Sequence, residues 1–436
     1  MNPDIVCGVD IGSSSIRVLI AHGVDSHTRL KERARKTPPI HVKEKILGFS
    51  SSPTKGFSKG LVSNLNLLSD AIQDAVSNAE SLAHCRVRKL ITNISGVQVR
   101  TFKSRGSINI SDRPSEITKD DITRCMESAK LIAMSLDREI IHLSPERFFI
   151  DDKIEIEEPL GLFSSKLDVD LNIITTLVNI LQNLTKAVNL AGYEVEDVIL
   201  SGAGTALAIF DRKELEEDAV IIDVGKDLAE VVLFIDGKLR DCFYFPFGSD
   251  ELTQVLQEKL GIMFEEAEEL RMKHGIVAKA IEDLYDTSPI VIPSLRNKIG
   301  SVYSDTQSEE RVGVISRRQI SDLLFPKVEE IMQDIYKKIQ PYLKTKKRIP
   351  HISVVGGVSK MDGFVEAIED IFCVPIDMAK IVNTKDLQDT SFACCLGLAR
   401  HGILKKLEKN SRSIFNTNSF TGRILSKARF FLSEYF

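Results

Sequence analysis

The chain has no continuous apolar run approaching the ~20 residues that a membrane-spanning helix needs, and Met1 to Asp4 carry no basic region followed by an apolar stretch. The first absence excludes a transmembrane helix. The second predicts that no signal peptide is present, so a cytoplasmic protein is expected, with any membrane contact peripheral. Surplus charge is also lacking: 57 Lys and Arg against 62 Asp and Glu leave −5 over 436 residues. That balance argues against a general nucleic-acid binder, and no nucleic-acid partner is expected. Cysteine is sparse and unpatterned. Cys7, Cys85, Cys125, Cys242 and Cys373 are isolated, and only Cys394 and Cys395 are close. Adjacent cysteines make a poor disulfide or metal pair, so reduced thiols are expected. What remains, 43% apolar and 27% charged, is ordinary for a globular protein and long enough for several structural units with an ample core.

What is present is one turn, written twice. Val9-Asp10-Ile11-Gly12-Ser13-Ser14-Ser15-Ile16-Arg17-Val18-Leu19-Ile20 stands near the start, and Ile222-Asp223-Val224-Gly225-Lys226-Asp227-Leu228-Ala229-Glu230-Val231-Val232-Leu233 stands halfway along. Each is an apolar run ending in Asp-x-Gly, a polar tip, then a second apolar run, which predicts a β-hairpin with glycine at the tight turn. Such a turn can aim successive backbone N–H groups at an anion. Two of them predict two related subdomains facing one phosphate chain. In the first, Ser13 and Ser14 offer hydroxyls and amides, Arg17 can reach a phosphate oxygen, and Asp10 would sit near a phosphate-bound metal. A single Asp-x-Gly more often marks a turn with no ligand; its repetition is what points to phosphate. A third element, Gly356-Gly357-Val358-Ser359, follows a buried-type strand, and glycines there let a flat base approach the backbone.

Between these turns, Leu65, Leu68, Ile72, Val76 and Ala79 fall at helical spacing within a helix expected over Leu61 to Leu82. Short strands follow from Val87, then a helix from Thr118 to about Met134 with Thr118 as N-cap and Asp121 at the capping-box position. Residues 85–165 read as a small α+β insert. Strand-like Val169 to Thr175 and a helix over Leu177 to Ala191, ending at Gly192, come next. The second half carries helices at Asp250 to Leu260, Phe264 to Lys273, Ser316 to Lys344 and about Gly363 to Ile371. Strands alternating with helices, twice over, predict an α/β protein of two similar halves. From Lys405 the composition becomes polar, which reads as a linker.

The chain closes on Phe420 to Phe436, where Ile424, Leu425, Ala428, Phe431, Leu432 and Tyr435 share one helical face and Arg423, Lys427 and Arg429 lie on or beside the other. A basic amphipathic helix on a polar tether is the pattern of an in-plane membrane anchor. It also fits a terminal helix that docks on its own domain or on a partner.

In their order, the two hairpins and the glycine element resemble the actin, Hsp70 and sugar-kinase nucleotide-binding fold. Within it the chain resembles the FtsA family of cell-division proteins. The resemblance spans nearly the whole chain and is carried further by Lys55-Gly56, Ile94-Ser95-Gly96, Ser104-Arg105-Gly106, Asp137-Arg138-Glu139-Ile140-Ile141-His142 and Pro159-Leu160-Gly161-Leu162. Glu268 and Arg271, before Lys273-His274-Gly275, match the family's ribose-contacting helix. The resemblance implies an α/β, actin-like, two-lobed fold with an FtsA-type insert of SHS2 kind. It divides into 1–84, 166–200 and 381–400 (subdomain 1A), 85–165 (the insert, 1C), 201–245 and 318–380 (2A), 246–317 (2B), a linker over 401–418 and a membrane-targeting helix over 419–436. It implies ATP with Mg as ligands, held by Asp10, Gly12, Ser13, Ser14, Arg17, Asp223, Gly225, Lys226, Glu268, Arg271, Gly356, Gly357 and Ser359, with Asp10 meeting the Mg through water. The implied partners are the C-terminal peptide of FtsZ, further copies of the chain in a protofilament, an anionic lipid surface and other divisome proteins. The implied place is the cytoplasmic side of the cell membrane, at the septum. Arg317, Arg318 and Lys327 would suit an acidic FtsZ peptide; a solvated helix face would look the same.

The chain departs from the family at its second turn. Lys226 and Asp227 stand where two glycines are usual, and Leu228 where a threonine is usual. A side chain at a glycine position crowds the γ-phosphate, Asp227 repels it, and Leu228 removes a hydroxyl donor. Hydrolysis demands an oriented water and neutralised charge, so ATP binding with slow or absent hydrolysis is expected. Two rivals are a PilM-type pilus-assembly protein, which lacks the terminal helix, and a sugar-kinase-type enzyme, for which no motif places a general base.

Overall fold

The computed structural model describes residues 5–24, 43–133, 135–278, 289–292, 313–343 and 350–415. The chain divides into two compact units, one of 1–220, 232–244 and 380–436 and the other of 221–231 and 245–379.

In the first unit the repeated pattern becomes a hairpin. Ile5–Ile11 and Ser15–Gly23 pair antiparallel, with Asp10 opposite Arg17. They belong to a five-stranded sheet in the order Glu194–Leu200, Lys89–Ile94, Ile5–Ile11, Ser15–Gly23, Glu44–Pro53. The first three strands run parallel and the others antiparallel. Alternation decides what each face buries. Cys7, Val9, Ile11, Ile16, Val18 and Ile20 face a core shared with helices Leu65–Ala83 and Val178–Leu190. The spacing read from sequence holds in the longer helix, where Leu68, Ile72, Val76 and Ala79 are fully buried. Its start is set by Asn64, whose side chain accepts from the Leu67 N–H at 3.1 Å. On the other face Gly8 lies against the backbone of helix Ala393–Phe415, where a Cβ would stand 2.2 Å from the Cys395 carbonyl.

The insert has its own antiparallel sheet, in the order Ile154–Ile156, Arg138–Ile150, Lys166–Leu177, Arg100–Asn109. Helix Lys119–Ala133 covers one face, burying Cys125 and Ala129 against Leu167, Val169 and Leu171. The expected capping box forms: Thr118 N–H donates to Asp121 Oδ2 at 2.9 Å, and Asp121 N–H donates to Thr118 Oγ1 at 3.2 Å. Two boundaries differ from the 85–165 expected. Lys89–Ile94 belongs to the first sheet, and Lys166–Leu177 is a central strand of the insert. Their apolar patterns are right for strands, but pattern does not name a partner. The linker expected over 401–418 also differs, because helix Ala393–Phe415 runs through most of it. Residues 401–404 are buried, Lys405 pairs with Asp197, and Lys406 Nζ donates to the Ile5 carbonyl at 2.7 Å. A helix already anchored by 393–404 extends at little cost through a polar stretch.

His142 joins the insert to the first sheet, accepting from the Leu200 N–H at 2.9 Å. Burial pushes its pKa down from 6.5 to about 3, with the nearby His401 adding to the fall and Asp197 opposing it. The folded value lies below the unfolded one, so protonation favours the unfolded chain. This contribution is complete above about pH 6.5 and is lost as pH falls toward 3. Between about pH 7 and pH 5 the wild type should lose about 2 kcal/mol more unfolding free energy than His142→Gln, which keeps an acceptor but does not titrate. Urea denaturation at both pH values measures it, and equal losses would refute the assignment.

In the second unit, His351–Val355 and Asp377–Met378 pair in parallel. Strands Ala219–Val224 and Ala229–Ile235 flank the second turn. Helices Ser249–Leu260, Phe264–His274, Arg317–Leu343 and Phe364–Phe372 follow the expected positions. The division departs from the subdomains expected: 201–220 and 232–244 fall with the first unit, and 246–317 is not separated from 318–379. The packing explains the first shift, because helix Ser201–Ile209 lies against Ala393–Phe415, and Asn172 of the insert donates to the Leu239 and Arg240 carbonyls.

Candidate functional site

The two hairpin turns close on the same bond. Gly12 N–H donates to the Ser15 carbonyl at 3.2 Å, and Gly225 N–H donates to the Leu228 carbonyl at 3.0 Å. The repeat seen in sequence is thus a repeat of backbone geometry.

In the first turn, Ser13 is half-buried and Ser14 exposed at the tip. Thr54, from the neighbouring strand's end, braces the tip: its N–H donates to the Ser14 carbonyl at 3.1 Å and its hydroxyl to the Gly12 carbonyl at 2.6 Å. Arg17 stands 3.8 Å from Asp10 across the hairpin. Burial raises the Asp10 carboxyl, opposed by the Arg17 charge and a hydrogen bond from Cys394. Asn93 Nδ2 donates to Asp10 Oδ1 at 2.7 Å and to Ser201 Oγ at 2.9 Å.

In the second unit the turn is pinned from behind. Ser249 N–H donates to the Gly225 carbonyl and Asp250 N–H to the Lys226 carbonyl, both at 3.0 Å. A Cβ on Gly248 would stand 2.1 Å from the Lys226 carbonyl oxygen, so helix Ser249–Leu260 sits tight against the tip. Because a trans peptide points C=O and N–H in opposite directions, the Lys226 and Asp227 amides face away from that helix. Lys226 Nζ lies 3.9 Å from Asp250 Oδ2. Burial raises the Asp250 carboxyl; Lys226 and Arg271 oppose this, while Asp227 and Glu268 add to it. Arg271 donates through Nε to Thr253 Oγ1 at 2.9 Å and lies 4.0 Å from Glu268. Burial lowers its pKa, opposed by the Glu268 and Asp250 carboxylates. Lys226, Glu268 and Arg271 are therefore gathered around Asp250.

Gly356 has φ +93°, and a Cβ there would stand 2.5 Å from Asp223 Oδ1 and 2.3 Å from the Val224 carbonyl. Only glycine allows this contact between the third element and the second turn. Ser359 turns inward, donating to the Gly356 carbonyl at 2.8 Å. Gly357 is exposed, with nothing within 4 Å of where a Cβ would be, so its backbone face is open to a flat base. Mg usually takes one or two carboxylates and fills its shell with waters and phosphate oxygens. Asp10 can supply one such carboxylate; among the described residues no group of three or more His, Cys, Asp and Glu is gathered to hold an ion directly.

Of the basic residues expected to meet an acidic peptide, Arg317 is ion-paired with Asp362, and Lys327 with Glu330 at 3.0 Å, while Arg318 is exposed. Ile424, Leu425, Lys427, Ala428, Arg429, Phe431, Leu432 and Tyr435 lie outside the described residues. No helix among the described residues is long and apolar enough to cross a membrane. Sequence reasoning missed Thr54, Asn93, Ser201, Asp250 and Thr253. Asn93 left one signal, a polar side chain inside Leu90-Ile91-Thr92-Asn93-Ile94; the others left none.

Comparison with known proteins gives two family matches. A profile described as "SHS2 domain inserted in FTSA" matches residues 96–175, and one described as "Cell division protein FtsA" matches residues 220–397, together more than half of the chain. The first span agrees with the insert's observed boundaries. Among curated relatives, Cell division protein FtsA of Borreliella burgdorferi is 27% identical, covering 100% of both chains. That of Pseudomonas aeruginosa is 25% identical over 94% of this chain and 92% of its own. Among solved structures, a PilM-PilN type IV pilus biogenesis complex aligns with TM-score 0.59 at 14% identity, covering 91% of this chain and 98% of its own. MreB 5 of Spiroplasma citri bound to AMPPNP aligns with TM-score 0.51 at 11% identity, covering 95% and 100%. At such identities these structures speak to the fold alone.

Proposed function

Because the chain belongs to the FtsA family of cell-division proteins, we propose that it binds ATP, assembles on the cytoplasmic face of the membrane and tethers FtsZ filaments there. Its fold is the actin-like α/β fold with an SHS2 insert. The observation that carries the nucleotide reading is the shared turn geometry: two Asp-x-Gly hairpins closed by the same glycine N–H bond, with an open glycine face at Gly357 beside the second. ATP with Mg is the ligand proposed. The residues proposed to serve it are Asp10, Gly12, Ser13, Ser14, Arg17, Asp223, Gly225, Lys226, Glu268, Arg271, Gly356, Gly357 and Ser359.

Hydrolysis is slow in this reading. The tip that carries Lys226 and Asp227 is bonded through two carbonyls to helix Ser249–Leu260, so it cannot swing aside to relieve crowding at a γ-phosphate. Asp227 is 8% exposed at the turn, where a carboxylate repels a γ-phosphate. Leu228 supplies no hydroxyl. ATP then acts as a structural ligand.

The anchor proposed is 419–436, inserted in plane with Arg423, Lys427 and Arg429 toward anionic headgroups. One short helix binds weakly, and assembly into a filament supplies avidity. Arg318 and the helix around it are the proposed seat of the acidic FtsZ peptide, with Arg317 and Lys327 released from their own carboxylates on binding. Septal localisation and contacts with other divisome proteins follow from this role.

The test is recruitment of fluorescent FtsZ filaments to anionic vesicles with ATP, comparing the full chain with residues 1–418. The full chain should bring filaments to the vesicles and the truncated chain should leave them in solution, with phosphate release near background in both. Vesicle binding that persists after truncation would remove the anchor. Turnover of many cycles per minute, abolished by Asp223→Ala, would remove the structural-ligand reading.

A further inference from the structure

Asn93 is a polar side chain that an apolar strand does not explain. It lies in Lys89–Ile94, between two parallel neighbours, and is 4% exposed. Both ends of its amide are used. Oδ1 accepts from the Ile11 N–H at 2.8 Å, while Nδ2 donates to Asp10 Oδ1 at 2.7 Å and to Ser201 Oγ at 2.9 Å. The backbone N–H of Ile11 needs an acceptor, so the amide has one orientation, and its two N–H hydrogens serve the two remaining bonds. Ser201 passes the polarity on, donating to the Ile94 carbonyl at 3.2 Å. The bonds therefore diverge from Asn93, one N–H going to Asp10 and the other to Ser201, which donates on to the Ile94 carbonyl.

The consequence falls on Asp10. The terminal torsion of a carboxylate is broad and two-fold, so an unheld aspartate presents either oxygen. Here Oδ1 is occupied by Asn93, Cys394 adds a further hydrogen bond to the carboxylate, and Oδ2 faces Arg17 at 3.8 Å, beyond hydrogen-bonding distance. We infer that Asn93 is the positioning residue of the first phosphate turn: it holds the Asp10 carboxylate in one orientation and presents Oδ2 to the hydrated divalent ion of a bound nucleoside triphosphate. This rests on the nucleotide reading above. Asn93 does not touch the ligand; it acts through Asp10, and Ser201 acts through Asn93. The ordering predicts graded effects that fall with distance along the chain of bonds.

The experiment titrates Mg²⁺ into the full chain with a fluorescent ATP analogue and repeats the binding in EDTA. Asn93→Ala should raise the Mg²⁺ concentration for half-saturation about tenfold, the loss of one hydrogen bond to a charged group, and leave binding in EDTA unchanged. Ser201→Ala, a milder change that removes only the anchor of Asn93, should shift it the same way by about twofold to threefold. Thermal midpoints establish that each variant is folded. A purely structural role would weaken binding equally with and without Mg²⁺, and that result overturns the inference, as does an unchanged Mg²⁺ midpoint in both variants. A wild type that binds no nucleotide under either condition overturns the nucleotide reading and this inference with it. A wild type that binds, beside indistinguishable variants, overturns the inference alone.

Discussion

Gly397→Ala should destabilise the protein by about 3 kcal/mol or more, while Gly204→Ala, the same change on the facing helix, should be neutral or stabilising by up to about 1 kcal/mol. Both glycines lie inside helices, Ser201–Ile209 and Ala393–Phe415, that pack against each other. The propensity gain from alanine is therefore the same for both. What differs is space. A Cβ on Gly397 would stand 1.7 Å from the Gly204 carbonyl oxygen and 2.6 Å from its carbon. Backbone atoms cannot rotate away, so the helices must part. A Cβ on Gly204 meets Leu398 Cδ2 and the Cys394 carbonyl at 3.4 Å, an ordinary contact. Helix Ala393–Phe415 is also held against the first hairpin through Gly8, so parting the helices disturbs the strand that carries Asp10. Urea denaturation of the two variants measures the contrast. A Gly397→Ala protein within 1 kcal/mol of wild type would show that the close approach is not required.

Arg400→Ala is the second large effect expected, a loss of about 3–5 kcal/mol. Arg400 and Glu44 form an ion pair with side chains 1% and 0% exposed. The guanidinium uses its whole fork: Nε and Nη2 donate to Glu44 Oε1 at 3.1 and 2.7 Å, Nη1 to the Leu207 and Ala208 carbonyls at 3.0 and 3.3 Å, and Nη2 to the Val382 carbonyl at 2.7 Å. One side chain thus ties the edge strand, the end of helix Ser201–Ile209 and the approach to the last helix. Removing it strands a buried carboxylate, which costs more than the pair itself is worth. Arg400→Lys should recover little, because a single ammonium cannot reach donors arranged as a planar fork. Glu44→Gln combined with Arg400→Ala should cost less than the two single changes added, since the uncompensated charge is gone. Chemical denaturation of the four proteins completes the cycle. A loss under 1 kcal/mol for Arg400→Ala would mean that water reaches Glu44.

Legibility followed the range over which each feature is determined. The helix at Leu65–Ala83 was readable because Leu68, Ile72, Val76 and Ala79 repeat within one turn of each other, and that spacing needs no knowledge of a partner. The capping box at Thr118 and Asp121 was readable for the same reason. The pattern marks Val169 to Thr175 as strand-like and the resemblance puts 166–200 outside the insert, yet Lys166–Leu177 is a central strand of the insert's sheet, because strand pattern names no partner. The polar run after Lys405 looked like a tether, yet its lysines reach Asp197 and the Ile5 carbonyl from a helix. Polar composition does not distinguish a solvated loop from a helix whose cost is carried by the buried turns before it. Of the proposed site, Asp10, Arg17, Lys226, Glu268 and Arg271 are marked by the turn motifs and the family resemblance. Asn93 and Asp250 are not, although each holds one of those residues in place.

By itself, the sequence determined the two Asp-x-Gly turns, the glycine element that follows them, the α/β alternation and the family, since each is carried by short spacings that a linear chain displays. Only the tertiary structure decided which strands share a sheet, where the insert begins and ends, and which polar side chains brace the turns. Those depend on residues far apart in the chain: Asn93 and Asp10 are 83 positions apart, and Arg400 and Glu44 are 356 apart. No local pattern records such a pairing, because the energy that makes it, a buried charge or amide finding its one partner, exists only after the core has closed around both.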